Sequence, residues 1–509
     1  MSRVFFKIFF VLTAAMAVAA TVAAPGAFAE DSYAEQLDEL KQRLEEVAEL
    51  AAQDAELSRR LDQIKADLAS FEKELETPVA GQGSDASTAM STAAPSKETE
   101  LATASPSAEL PAGTQGVPNP LQRESEFLTG RDLLDDSFPG SLPIPGTGAR
   151  FKIGGFAKFD FIQDFDYVGD RYEFELATIA VEGTPEYELG GRTTMHAKET
   201  RVNFDLRTVA RNDDYGWEFP LQMFVELDFF DDRDSFRLQP RLRHAYGVLG
   251  RFLAGRTWSV TTDLSALAGT IDFSGGDSLY GGRVSQFRFT DQIGESLKWA
   301  VAVEEPSISI SNPCGLEGSD RASVPNIAGF LRWEPSDRGH VQLGADVFRL
   351  EWQGGSTGPD DTELGFAGSL SGHYLLGGSG RDSFYGAATF GSGAAHRVIA
   401  LGFDGGNDAV ITPEGLDAIT HWQIYGGYSH YWTESLNSTI STAWAELDNS
   451  EFQPDSAIRR AGSVHVNLIW FPYKNVSTGV DSMWGGREHK DGAKGTASRV
   501  QCMTKFSFH

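Results

Sequence analysis

The sequence predicts an all-β transmembrane barrel of about sixteen antiparallel strands, preceded by an α-helical coiled coil. Three observations predict it. Apolar and polar residues alternate with period two through many short segments after Phe151. Short and long connections alternate between those segments. No internal apolar run reaches the roughly 20 residues that a membrane-crossing helix needs. The 509 residues include 54 glycines, 34 phenylalanines and only 2 cysteines, which excludes a disulfide scaffold. A formal charge of −29 argues against a nucleic-acid partner. Mean hydropathy is −0.27, a soluble-looking average that conceals apolar residues sorted onto one face.

Along the chain, Arg3 and Lys7 precede an apolar stretch, and Ala27-Phe28-Ala29 fits a small-x-small cleavage site. Residues 1–29 therefore read as a secretory signal peptide, since Pro25 and Gly26 close the run too early for a membrane anchor. Its removal takes the formal charge from −29 to −31. In residues 30–76, Leu37, Leu40, Leu44 and Val47, then Leu57, Leu61, Ile64, Leu68, Phe71 and Leu75, follow coiled-coil spacing. The register slips between the two runs near Asp54. So narrow an apolar stripe favours an oligomer over a single helix on the domain surface. Residues 77–148 are rich in Pro, Ala, Ser, Thr and Gly and read as a flexible linker. Residues 149–509 form the expected barrel.

Within that barrel, Lys152, Lys158 and Asp160 oppose Phe151, Ile153, Phe159 and Phe161 across the first strand. The alternation returns at 201–207, 217–229, 236–238, 241–243, 297–299, 464–468 and the end of the chain. Short connections are expected at 212–216, 249–250, 291–295, 335–339, 377–380, 433–434 and 472–475. Long ones are expected at 166–199, 260–282, 305–325, 353–361, 394–415, 448–455 and 488–496, with 230–235 a short exception. A soluble β-helix or sandwich requires neither this alternation nor an outward apolar face.

The runs Phe236-Arg237-Leu238, Arg241-Leu242-Arg243-His244-Ala245-Tyr246-Gly247, Ala254-Gly255-Arg256-Thr257-Trp258-Ser259, and Met483-Trp484-Gly485-Gly486-Arg487-Glu488 with Lys490-Asp491-Gly492 and Ala497-Ser498-Arg499-Val500-Gln501, resemble the DcaP-like porins of Gram-negative outer membranes. The order of signal peptide, coiled coil, linker and barrel matches as well. The resemblance implies a sixteen-stranded homotrimer in outer-membrane lipid with its coiled coil in the periplasm. It also implies uptake of small anionic solutes such as dicarboxylates, with no enzymatic activity and no cofactor. The last strand, with Val500, Thr504, Phe506 and Phe508 on one face, resembles the segment that barrel-assembly machinery reads.

Strand parity assigns Lys158, Arg201, Arg207, Arg237, Arg241, Arg243, Arg256, Arg288, Lys298, Arg332, Arg459 and Arg487 to the lumen. A guanidinium is always charged and presents a planar fork to a carboxylate, so facing arginines draw anions in. The cluster Arg237, Arg241, Arg243 and Arg256 is the leading candidate. Asp160, Asp205, Glu218, Glu226, Asp228, Glu304 and Asp346 share that face, so pairing into wall-stiffening networks is the competing reading. Loop 260–282 follows the fifth strand, where porins commonly fold a loop inward. Its Asp263, Asp272 and Asp277 are expected to face the arginine wall and create a transverse field. The acidic stretches 404–408 and 228–234 lack the Ca²⁺-loop pattern, so no metal is expected. The histidines show no ligand spacing, and no G-x-S-x-G motif appears. Cys314 falls in an external loop and Cys502 on the last strand, so no disulfide joins them. The alternatives are a non-selective porin, or an envelope protein whose barrel anchors the coiled coil.

Overall fold

A computed structural model describes Phe138 and residues 140–212, 214–231, 238–275, 277, 279–356, 358–376, 381–402 and 406–508. The expected signal peptide and coiled coil, most of the linker, and Arg237 lie outside the described residues.

Sixteen strands make the wall: β1 (Arg150–Asp164), β2 (Arg201–Asn212), β3 (Trp217–Asp228), β4 (Arg241–Leu249), β5 (Phe252–Trp258), β6 (Arg283–Ile293), β7 (Leu297–Glu304), β8 (Asn326–Ser336), β9 (Gly339–Gln353), β10 (Asp361–Leu375), β11 (Ser383–Ser392), β12 (Thr420–Thr433), β13 (Leu436–Asp448), β14 (Ile458–Tyr473), β15 (Val476–His489) and β16 (Lys494–Phe508). Each pairs antiparallel with the next, and β16 closes on β1 through Gly155 opposite Phe508 to Asp164 opposite Arg499. A short piece, Thr193–His196, prolongs β2 against β1. Closure leaves no unpaired edge, which is what a sheet in hydrocarbon requires.

Period two decides which side chain meets which solvent. Along β9, His340, Gln342, Asp346 and Phe348 are buried inward, while Val341, Leu343 and Val347 are exposed outward. Exposed Trp217, Phe252, Trp333, Trp432, Trp470 and Phe506 stand near the short-turn ends of their strands. Phe366, Phe390, Trp422, Trp444 and Trp484 stand toward the long-loop ends, so the two sets form the aromatic girdles of a membrane barrel.

The expected short connections fall between consecutive strands, with 377–380 outside the described residues, and Gly250 takes φ 61° in a two-residue turn between β4 and β5. Two external expectations need correction. The last connection is 490–493 rather than 488–496, because Arg460, Glu488 and Lys494 form a cross-strand row that carries pairing to the strand ends. Between β3 and β4 the connection runs from 229 to 240; of the strand read at 236–238 only Leu238 is described, and it lies in this connection, while 236 and 237 lie outside the described residues.

Two long loops pack inside the long-loop half of the barrel. Phe174, Leu176 and Ile179 of the first long loop pack with Val398, Leu401, Val410 and Ile419 of the 393–419 loop, against Phe348, Leu447, Met483 and Ala497 of the wall. The loop between β5 and β6, residues 259–282, turns inward and joins this interior.

Candidate functional site in the lumen

The site begins with a bulge. Opposite β3, Glu226 pairs with His244 but Leu227 with Leu242, so Arg243 is the extra residue and both Arg243 and His244 are buried on the inner side. The bulge reverses parity beyond it. Leu253 and Thr257 of β5 face inward, and Arg256, opposite Ala245 and Ser285, faces outward. Arg256 is therefore not a lumen residue, and it lies 3.7 Å from Glu305 at the outer rim. Arg459 is displaced for a similar reason. An irregularity beside Arg460 leaves it half-exposed, 3.7 Å from the outward-facing Glu488.

The remaining described candidates face inward. Arg241 forks onto Asp228 at 2.7 and 2.9 Å. Arg243 reaches Glu226 at 2.8 Å and Asp228 at 2.9 Å, and Arg201 lies 3.9 Å from Glu199 and Glu226. Lys158 binds Glu199 and lies 3.3 Å from Asp160, and Arg207 forks onto Asp205 at 2.8 and 3.1 Å. Lys298 meets Glu334 at 2.8 Å, Arg288 is buried on β6 beside Leu253 of β5, and Arg487 donates to the carbonyls of Ala177 and Ile179. Three guanidinium groups, those of Arg201, Arg241 and Arg243, stand 5.4–5.8 Å from the ring centre of Phe273 on the inward loop. Exposure separates them: Arg241 is 22% and Arg207 20% exposed, whereas Arg243 is 1%.

The inward loop crosses from β5 to the far wall. Asp263 meets Arg332 at 3.0 Å and His340 at 2.6 Å, and accepts from Ser371 at 2.7 Å. Tyr425 accepts from the Ala268 amide at 2.9 Å, and Asn467 donates to the Gly269 carbonyl at 2.7 Å. Ile271 packs on Ile469 and Met503. Asp272 accepts from the amides of Phe174 and Ser274 and lies 4.0 Å from Arg499. Asp277 accepts from Ser463 and lies 3.3 Å from His465. Of the three carboxylates expected to face the arginine wall, Asp263 meets one of its members, Arg332, while Asp272 and Asp277 meet Arg499 and His465, and it is Phe273 that meets the arginines of β2 and β4. Burial works to raise the Asp263 carboxyl, but Arg332 and the His340 hydrogen bond hold it well below the usual carboxylate range. Burial pushes Asp272 up to about 7 against the pull of Arg499.

Sequence reasoning missed Arg397, which enters from the 393–419 loop. Its guanidinium reaches Glu304 at 3.2 Å and Asp346 at 3.1 Å, and lies 4.8 Å from the Phe348 ring centre. Tyr280 of the inward loop donates to the same Asp346 at 2.9 Å. The signal was a single cation inside the apolar, small-residue run Ala394-Ala395-His396-Arg397-Val398. Arg499 was also left out of the lumen set, although its alternation with Val500 pointed inward; it meets Asp164 at 2.5 Å. Among the described residues no cluster of three or more His, Cys, Asp or Glu has metal-holding geometry.

A family model described as DcaP outer membrane protein matches residues 223–508. The crystal structure of the outer membrane channel DcaP of Acinetobacter baumannii shares the fold, with 20% identity, TM-score 0.62, and 71% of this chain covering 98% of that one. An anion-selective porin from Comamonas acidovorans aligns at 11% identity and TM-score 0.46, with 71% and 100% covered. The trimer form of OmpT from Vibrio cholerae aligns at 11% identity and TM-score 0.43, with 71% and 100% covered. The search of curated proteins returns no match.

Proposed function

Because this chain belongs to the DcaP outer membrane protein family, we propose that its barrel is a channel for small anionic solutes, dicarboxylates among them. The observation that carries this reading is the unequal exposure of the lumen cations. Arg207 and Arg241 keep about a fifth of their side chains open while each is oriented by one carboxylate. A fork held in this way can exchange its partner for a passing carboxylate at little ordering cost. Buried Arg243 and Arg201 stiffen the wall behind them. Weak, repeated contacts suit conduction, since a solute held tightly does not leave. The reading takes the channel to carry out no bond chemistry.

The N-terminal segments fit the same reading. Residues 1–29 address the chain for export and 30–76 form a periplasmic coiled coil whose seam holds three copies together. Residues 77–148 span the distance between them and the barrel. Outer-membrane lipid and the barrel-assembly machinery are the remaining partners.

The test is a reversal potential in planar bilayers under a salt gradient, then with succinate. Arg207→Gln and Arg241→Gln should each lower anion preference, and the pair should lower it further. An unchanged reversal potential in the pair overturns the arginine assignment. A barrel that never conducts, with or without residues 30–137, overturns the channel reading and favours an anchor for the coiled coil.

A further inference from the structure

The outward face of β14–β16 carries a charge cluster that a lumen function leaves unused. Arg460 stands opposite Glu488, and Glu488 opposite Lys494, on the same face as the exposed pair Val464 and Trp484. Glu488 accepts from Arg460 Nε at 2.9 Å, with Lys494 Nζ at 3.5 Å and Arg459 Nη1 at 3.7 Å. One carboxylate thus serves three cations, which remain 33%, 63% and 47% exposed. Glu446 of β13 stands across the strand pair from Arg460, and Asp448 lies two residues beyond it on the same face.

The depth of the cluster is defined from below. The Arg460 guanidinium lies 5.7 Å from the Trp444 ring centre, and Trp444 and Trp484 belong to the long-loop aromatic girdle. Charge on a lipid-facing wall just beyond such a girdle sits at headgroup level. The arrangement recurs around the rim. Arg349 and Arg321 share Glu351 at 3.2 and 3.6 Å beside β9, and Arg256 lies near Glu305 beyond β5.

We propose that this outward rim binds the phosphate groups of lipid in the surrounding leaflet, with Arg459, Arg460 and Lys494 as the principal site. Two guanidinium groups present forks that match phosphate oxygens, and Lys494 adds a point charge. The stems lie over the apolar band while the heads reach the headgroups. The cluster faces lipid rather than lumen, so it does not depend on which solute the barrel passes.

The experiment is native mass spectrometry of the full-length protein with a bisphosphorylated, multi-acylated disaccharide lipid and with its dephosphorylated form. The phosphorylated lipid should be retained and the dephosphorylated form released. The variant R459S/R460S/K494S should lose that preference while keeping the heat-modifiable mobility of a folded barrel. Lys494→Ser alone, at the most exposed position, should weaken retention about fivefold, the effect of one basic residue at an anionic surface. Three results overturn the proposal: equal retention of both lipids, undiminished retention in the variants, or dissociation of subunits with lipid retention intact. The last would make the cluster a contact between copies of this chain.

Discussion

Asp263 of the inward loop and Arg332 of β8 meet at 3.0 Å inside the barrel, and the second oxygen of the same carboxylate meets His340 of β9 at 2.6 Å. A loop that leaves the wall after β5 is thereby tied to strands three and four places further round. Because Asp263, Arg332 and His340 are all buried, water does not screen the pairing, and its loss leaves charge stranded in the interior.

Asp263→Asn should therefore release the near end of the loop. Breaking a buried ion pair from one side costs about 3–5 kcal/mol. Single-channel conductance in planar bilayers is expected to rise and become noisier, with the barrel still heat-modifiable. Conductance identical to the parent would show that the loop does not limit the path.

The two ends of this loop should respond oppositely to pH. The Asp263 carboxyl lies below the usual range, so its stabilisation is present above the unfolded value near 3.8 and disappears only in strong acid. The Asp272 carboxyl is raised from 3.8 to about 7, so the folded state favours its protonated form, and stability from this group is lost as pH rises between those values. Amide exchange at 270–275, corrected for intrinsic rates, should quicken from pH 5 to pH 8 while amides 261–266 stay protected. Equal change at both ends would count against this assignment.

Arg397→Met should uncouple the 393–419 loop. It strands Glu304 and Asp346 together, and the same range of about 3–5 kcal/mol applies. Faster proteolysis within that loop and a lower thermal midpoint are expected. A thermal midpoint equal to the parent's would mean that the apolar packing of Val398 and Leu401 alone holds the loop.

Arg256→Gln is the control for the bulge at Arg243. Its side chain faces outward, so reversal potential should be unaffected, whereas Arg241→Gln should shift it. A shift with Arg256→Gln would place that residue back in the lumen.

Phe273→Ala removes the ring around which Arg201, Arg241 and Arg243 gather. Anion conductance should increase, because the guanidinium groups gain access to water and lose an apolar cap. Reduced conductance would indicate that the ring orders the arginines rather than shields them.

The sequence by itself determined the membrane barrel. Period two in Lys152 to Phe161 or Trp217 to Asp228 is a local property of the extended chain, and the short turns among the described residues followed from where that period breaks. It also identified most inward cations, since parity survives as long as a strand stays regular. What only the tertiary structure decided is long-range. One extra residue at Arg243 turns every later side chain of β4 over and sends Arg256 outward, and no local signal distinguishes a bulged Arg243 from a regular one. Likewise nothing near Asp263 or Arg397 in the chain names Arg332, Glu304 or Asp346 as partners. Those pairs exist because closing sixteen strands encloses an interior that loops from distant parts of the chain can fill only by bringing their charges to charges already there.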